Sequence, residues 1–281
     1  MKCRPEKMGE TKHIIEQVPD ISVILFNYNK KTMLMDCLES LYRCRHDVSV
    51  DIIVVNKRCG DGTEEILSTK FPEVHLLNFD YPFELARYRT EGMRIARGRY
   101  VAHFDIDMFF NDTTLTEVIS FMDRKANVGC CGGKLLGLDG MLQYSCRRFL
   151  SIKVLLLRRN PIVKLFPGLR ESVDRELLMT DWDHSDTRPV DWVGGGFMVI
   201  RRDAMMKIGF LDKNFKYGME DIDYCIRIWK AGLKVYYVHT ATITHIGNRP
   251  STKFGWFLFQ IYFSTIRLLL KHGIYSRKGG S

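Results

Sequence analysis

Gly98-Arg-Tyr-Val-Ala-His-Phe-Asp-Ile-Asp107 is the stretch on which the fold turns. Its middle, Tyr100–Phe104, is an apolar run of strand length, and it runs straight into two carboxylates one residue apart. Upstream, residues 83–97 form a helical pattern that Gly98 closes. Further back, 21–26, 51–55 and 74–77 are short apolar runs with the composition of strands buried on both faces. Leu34, Cys37, Leu38 and Leu41 recur at helical spacing between the first two, and Asp61 with Glu64 has the spacing of a capping box before another helix. Regular alternation of strand and helix predicts right-handed crossovers and a mainly parallel central sheet flanked by helices, an α/β fold. Ligands in such sheets sit beyond the carboxyl ends of the strands, so the residues after Phe26, Val55 and Phe104 are the first candidates.

Downstream the pattern loosens. Strands are predicted at 128–131, 196–200 and 233–238, a helix at 221–231, and a basic, loop-rich segment from 147 to 188. The organisation expected is a poorly ordered leader over 1–20, one domain over 21–250 and a C-terminal segment over 251–281. With 46% hydrophobic and 27% charged residues the chain can bury a sizeable core. A net charge of +9 points to polyanionic partners: nucleic acid, an anionic membrane face or phosphorylated small molecules. No nucleic-acid motif or basic stripe accompanies the charge, so nucleic acid is set aside. The eight cysteines form no CxxC pair and no zinc spacing, which fits reduced thiols and a cytoplasmic setting. Residues 1–20 hold no apolar run that could serve as a signal peptide.

Three constellations carry candidate chemistry. Asp105 and Asp107 leave a strand end together; such a pair can hold a hard divalent cation and share it with a diphosphate, or can be a solvated turn. Glu220, Asp221 and Asp223 open a helix, where capping and the helix dipole favour acids, and where a fixed carboxylate could also take a proton from an attacking hydroxyl. Asp191-Trp-Val-Gly-Gly-Gly-Phe197 puts three glycines before a strand, allowing either a tight bend or close approach of backbone to a ligand beside the flat face of Trp192. His245, after a β-like run, is either a structural histidine or a ligand.

Taken in order, these residues resemble the family 2 glycosyltransferases of the GT-A fold, in particular their rhamnosyltransferase-like branch. The likeness runs from about Ile21 to Gly273. It rests on Ile21-Ser-Val-Ile-Leu-Phe-Asn-Tyr-Asn29, on Ile-Ile-Val-Val-Asn56 through Gly60-Asp-Gly-Thr63, and on Ala96-Arg-Gly-Arg-Tyr-Val101 leading to Asp105 and Asp107. It continues through Cys146-Arg-Arg-Phe149, Asp181-Trp-Asp-His184, Val190 to Arg202, Gly218-Met-Glu-Asp-Ile-Asp-Tyr-Cys225 and Thr244-His-Ile-Gly247. The resemblance implies an inverting, divalent-metal-dependent transfer of a sugar from a nucleotide diphosphate to an acceptor hydroxyl. Asp105 and Asp107 would hold Mg2+ or Mn2+ and the donor diphosphate, with His245 near the metal. Asp221 would be the base, with Glu220 beside it. Asn27, Asn56, Asp61 and Arg89 would line the nucleotide pocket, and Trp192 and Gly195 would border the sugar. The sequence departs from the family where Asn56 replaces an Asp, Lys57 an Asn and Thr90 an Asn; an Asn at 56 accepts a hydrogen bond without charge.

The favoured donor is dTDP-rhamnose and the favoured process surface polysaccharide synthesis on a glycan or lipid-linked glycan acceptor. A catalytically silent nucleotide- or sugar-binding protein on the same scaffold is the alternative. Residues 254–270 mix aromatic and aliphatic residues with Gln260, Ser264, Thr265 and Arg267, too short and interrupted to span a membrane. Lys271, Arg277 and Lys278 follow. That composition suits an amphipathic helical appendage lying on an anionic membrane surface, docked on its own domain, or forming a homodimer contact. Peripheral attachment to the inner face of the cell membrane is the expected location.

Overall fold

A computed structural model describes residues 17–45, 47–58, 60–82, 84–157, 163, 165–216, 218–247 and 256–276. The leader expected over 1–20 therefore lies almost wholly outside the described residues.

The first half alternates as its apolar periods require: β1 (Ile21–Tyr28), α1 (Lys31–Cys44), β2 (Val50–Lys57), α2 (Thr63–Lys70), β3 (His75–Phe79), α3 (Leu85–Ile95) and β4 (Tyr100–Phe104). All three pairings among these strands, β1 with β2, β2 with β3 and β1 with β4, are parallel. The chain continues through β5 (Met108–Phe110), α4 (Thr114–Arg124), β6 (Val128–Leu136), β7 (Leu142–Gln143), β8 (Cys146–Arg147), α5 (Ile152–Leu157), α6 (Pro167–Leu178) and β9 (Arg188–Pro189). It closes with β10 (Trp192–Val193), β11 (Phe197–Arg201), α7 (Arg202–Ile208), α8 (Glu220–Lys230), β12 (Lys234–His245) and α9 (Trp256–His272).

The main sheet runs β3-β2-β1-β4-β11-β6-β12-β5. β11 is antiparallel to both neighbours and the short β5, β7 and β9 also pair antiparallel, so the sheet is mainly parallel with reversals at its centre and edges. Neighbouring residues on each strand point to opposite faces. Ile24, Ile53, Val101 and Ile200 join one buried cluster with α3, α6 and α8; Val23, Val54, Ala102 and Val199 join the other with α1 and α4. The result is an α/β fold of three layers.

One contortion builds the site. At about 4.8 Å per strand, the strand order would put β5 roughly 19 Å from β4. Only three residues, Asp105 to Asp107, connect the two strands, a reach of about 14 Å at most from Phe104 to Met108. The break in register between Val238 and Thr242 of β12 resolves the conflict. Beyond it the strand pairs with β5 as well as β6, and pairing of His245 with Met108 delivers the histidine beside the acidic link.

Several local expectations change. The segment 147–188 carries two helices, α5 and α6, whose buried Val154, Val173 and Leu177 were hidden in a strongly basic stretch. α2 has no capping box: Gly62 is its N-cap, Asp61 Oδ1 accepts from Thr63 N at 3.1 Å, and Glu64 turns to Arg58 at 3.1 Å. α3 stops at Ile95, and Gly98 donates its N–H to Ser22 Oγ at 2.9 Å instead of capping the helix. The strand expected at 233–238 continues to His245, and α4 and α7 are additional helices.

α9 is docked on the domain by Leu268, which joins the core, with Ile261 packed beside it, and by a set of charged contacts. Lys271 Nζ and His272 Nε2 lie 2.7 and 2.8 Å from Asp223 Oδ1 in α8, and Arg267 and Lys271 reach Asp212 at 3.2 and 2.9 Å. Phe259, Tyr262, Phe263, Ile266 and Leu270 form a stripe on its exposed side. No described helix is long and apolar enough to cross a membrane. Six cysteines, Cys37, Cys44, Cys130, Cys131, Cys146 and Cys225, are buried and unbridged.

Candidate active site

The carboxyl end of β4 supplies Asp105 and Asp107, and the far end of β12 supplies His245. One ligand atom from each of the three lies within 4.8 Å of the others. His245 Nε2 is 3.3 Å from Asp107 Oδ1, and Ile246 N donates to the Asp107 carbonyl at 2.9 Å, pinning the two segments together. Gln143, from β7, orients the imidazole. Its Nε2 donates to the His245 carbonyl at 3.0 Å, so its Oε1, 2.6 Å from Nδ1, must accept the ring N–H. With Nδ1 engaged by Gln143, the ring presents Nε2 to the Asp107 carboxylate. Two hard carboxylate ligands and an imidazole held by an outer amide fit Mg2+ or Mn2+. Nothing in the sequence pattern singled out Gln143; its function depends on a strand contact spanning 102 residues.

Arg89, buried on α3, links this cluster to the second acidic group. Its Nη2 donates to Asp105 Oδ1 at 2.8 Å and its Nη1 to Glu220 Oε1 at 3.4 Å. Glu220 is the first residue of α8 and is 3% exposed. Burial, and then repulsion from Asp221, pushes its carboxyl up to about 7, against the pull of Arg89. Its Oε2 has no hydrogen-bond partner among the described residues. Asp221 is less buried. Its Oδ2 accepts the Gly195 N–H at 3.1 Å and its Oδ1 the Ile222 N–H at 2.8 Å, a first-turn carboxylate held by backbone donors.

The triple glycine works through close approach. A Cβ on Gly195 would lie 2.4 Å from Arg89 Nη1, and one on Gly196 would lie 2.4 Å from Asp105 Oδ2. The Gly196 carbonyl also accepts the Asp105 N–H at 3.0 Å. The two acidic centres thus meet across one glycine turn.

The remaining candidates fall into two groups. Asn27, Asn56 and Asp61 gather at the carboxyl ends of β1 and β2 and the start of α2. Asn27 Nδ2 donates to Asn56 Oδ1 at 2.9 Å and Thr63 Oγ1 at 3.1 Å, and Asn56 Nδ2 donates to Asn78 Oδ1 at 2.9 Å. Asn56 is 1% exposed with both ends of its amide engaged in this row across three strands, while Asn27 Oδ1 has no partner among the described residues. Trp192 is placed in the core: it is 4% exposed, donates Nε1–H to the Arg148 carbonyl at 2.9 Å and lies under Arg147. Trp182 and His184 likewise stack at 4.0 Å inside the fold. Arg89, expected along the nucleotide pocket, stands between the acidic pair and Glu220.

Beside Asp105 and His245 opens a cavity of about 830 Å³, bounded by Gln143, Tyr144 and Arg147 on one side and by α6 on the other. An acidic pair at the end of a parallel strand, competent to hold a metal, thus opens onto a cavity of substrate size.

Comparison with known proteins agrees. The family described as glycosyl transferase family 2 matches residues 22–173, and one described as the N-terminal domain of galactosyltransferase matches residues 186–249. The chain belongs to glycosyl transferase family 2. It is 35% identical over 100 residues to the rhamnosyltransferase WbbL of Escherichia coli K12, covering 34% of this chain and 36% of the relative. It is 23% identical over 207 residues to the N-acetylglucosaminyl-diphospho-decaprenol L-rhamnosyltransferase of Mycobacterium tuberculosis, covering 70% and 66%. The chain thus spans about a third of the one relative and just under two thirds of the other. GalNAc-T7, solved with UDP, GalNAc and Mn2+, superposes with a TM-score of 0.63 at 14% identity, covering 91% of this chain and 48% of that one. The mannosyltransferase PcManGT of Pyrobaculum calidifontis, solved with GDP-Man and Mn2+, gives 0.60 at 16%, covering 95% and 66%.

Proposed function

We propose that the protein is an inverting, divalent-metal-dependent glycosyltransferase that moves rhamnose from dTDP-rhamnose to a hydroxyl of a lipid-linked glycan in surface polysaccharide synthesis. The observation that carries this reading is the arrangement about Arg89 and Gly195. These two residues touch the acidic pair on one side and Glu220 and Asp221 on the other. A metal on Asp105, Asp107 and His245 would neutralise charge gathering on the departing diphosphate.

Asp221 would accept the proton of the acceptor hydroxyl as its oxygen attacks the anomeric carbon. Two backbone donors fix its carboxylate, so it works chiefly by position. Glu220, pushed up to about 7, holds its proton more readily than an ordinary carboxylate and would leave Asp221 as the acceptor of charge in the pair. The row of Asn27 and Asn56, with Asp61 beside it, would meet the nucleotide. Sugar and acceptor would share the cavity beside Gly194 and Gly196, with Gly195 at its edge. The decaprenol-linked substrate of the mycobacterial relative supports a lipid-linked acceptor here. The exposed stripe of α9 supports peripheral attachment to the inner face of the membrane, with a second copy of the chain as the competing occupant.

Isothermal calorimetry with dTDP-, UDP- and GDP-sugars in Mn2+ or Mg2+, followed by hydrolysis assays, tests the assignment. Metal-dependent binding and slow hydrolysis of dTDP-rhamnose is the expected result. Preference for a UDP- or GDP-sugar would remove the donor assignment, and metal-independent turnover would remove the metal.

A further inference from the structure

A smaller cavity, of about 470 Å³, touches both halves of the site. Its walls include Asp61 from the nucleotide group, Ile246 from the metal side, and Lys30 and Lys31 between them. Asp61 opens the turn into α2, where Asn27 meets Asn56 and Thr63. Ile246 follows His245, and its N–H is the donor to the Asp107 carbonyl. The two lysines are the N-cap and the first residue of α1.

These lysines differ from the arginines near the same strand ends. Arg58 is engaged by Glu64 and Asp80, and Arg89 by Asp105 and Glu220. Lys30 and Lys31 make no side-chain hydrogen bond or ion pair among the described residues, although Asp36 and Asp61 share their cavity. Lys31 is nonetheless half-buried. A Cβ on Gly62 would lie 3.3 Å from its Nζ and 4.0 Å from its Cδ, so the side chain lies across the turn into α2, where glycine leaves it room. An ammonium held there without a counter-ion suits an anion that arrives from outside. Charge balance says which anion. A divalent ion on Asp105 and Asp107 is offset by those two carboxylates, and Arg89 is already taken up by Asp105 and Glu220. The two negative charges of a nucleotide sugar's diphosphate therefore need further cations. In such a donor the diphosphate follows the nucleoside, and α1 supplies lysines between the nucleotide row and the metal side.

We propose that Lys31 binds the diphosphate of the nucleotide donor and stabilises it as the leaving group, with Lys30 adding charge at the rim of the cavity. This rests on the transferase reading above. As the acceptor oxygen bonds to the anomeric carbon, the bond from that carbon to the diphosphate breaks, its electron pair leaves on the phosphate oxygen, and the acceptor's proton passes to Asp221. Lys31 stays protonated throughout and acts by attracting the charge that gathers on the diphosphate.

Calorimetry of the full chain with dTDP, UDP and GDP in Mn2+ tests it. Lys31→Met keeps the aliphatic stem over Gly62 and removes the charge, whereas Lys31→Arg keeps the charge. Lys31→Met is expected to bind the preferred nucleotide about tenfold more weakly than the wild type, and Lys31→Arg within about threefold of it. Lys207→Met removes an equal charge from an exposed position on α7 and should leave the affinity unchanged. In donor hydrolysis, Lys31→Met should lower kcat as well as raise KM, because the contact strengthens as the leaving group gains charge. Unaltered Tm in all three variants separates this from a structural role. Wild-type affinity in Lys31→Met would overturn the proposal, and so would a loss of the same size in Lys31→Arg or Lys207→Met. These outcomes leave the transferase reading standing. A wild type that binds none of the three nucleotides would remove that reading and this proposal together.

Discussion

Asp221 and Glu220 are adjacent carboxylates in opposite environments, and each makes a separate prediction. Asp221 is held by the Gly195 and Ile222 N–H groups, one on each oxygen, and an amide in its place keeps an acceptor for only one of them and cannot take a proton. Asp221→Asn is therefore expected to abolish transfer, by about a thousandfold or more, with donor affinity nearly unchanged. Calorimetry beside a transfer assay checks both halves, and normal turnover would remove the base assignment. For Glu220 the carboxyl is raised from an ordinary 4.5 to about 7, chiefly by burial and secondarily by Asp221. A raised folded-state value stabilises the fold below the unfolded value and loses that contribution as pH climbs through the folded one. The wild type should thus lose stability between pH 5 and 8, on the order of 3 kcal/mol, which Glu220→Gln does not lose. Denaturant titrations in chelator at both pH values measure it. Parallel behaviour of the two proteins would show that Glu220 is ionised throughout. At this scale the sequence was informative where chemistry is local: two carboxylates leaving a strand declare themselves by spacing. Gln143 does not, because the contact that gives it meaning exists only once the fold brings it to His245, 102 residues on. Trp192 misleads for a related reason, since an aromatic residue beside glycines has the same spacing whether it faces a ligand or the core.

Among the elements, the turn before β11 carries the most constraint. It must pass between a buried guanidinium and a carboxylate, which is why its glycines touch Arg89 and Asp105 so closely. Arg89 cannot move aside cheaply, since both of its outer nitrogens are bound to acids. Gly195→Ala should destabilise by about 1–3 kcal/mol through overpacking and, by displacing Arg89, weaken donor binding roughly tenfold. Thermal unfolding and calorimetry on the one variant test both effects; donor affinity equal to wild type would mean that Arg89 does not order the donor site. The β/α alternation of the first half was legible because each strand and helix has its own apolar period. α5 and α6 were not, because their apolar positions lie among charged residues and a short amphipathic helix on the surface then has the composition of a loop. The capping box at Asp61 lost to other local contacts: Gly62 takes the N-cap position, and Glu64 pairs with Arg58 six residues before it.

For the molecule as a whole, the metal cluster should act as a fastener. Its candidate ligands Asp107 and His245 are 138 residues apart in sequence and follow or end strands that are not neighbours in the sheet, yet they meet in space. An ion that binds only the folded chain adds about 2.7 kcal/mol at a hundred times its Kd. Mn2+ should therefore raise the Tm of the wild type and leave that of Asp107→Ala unmoved; an equal rise in both would place the ion elsewhere. The three-layer architecture followed from the sequence, but the antiparallel β11 at its centre did not, since strand direction leaves no trace in apolar patterning. The six enclosed sulfhydryl groups supply an independent clock for such measurements. Alkylating reagents can reach them only when the surrounding layers part, and burial further suppresses the reactive anion at Cys37, Cys130 and Cys131. Cys131 lies on the face shared with α1 and α4 and Cys225 on the face of α8. Timing their modification by mass spectrometry would reveal which side of the sheet lets go first, and whether ligand binding slows one side or both.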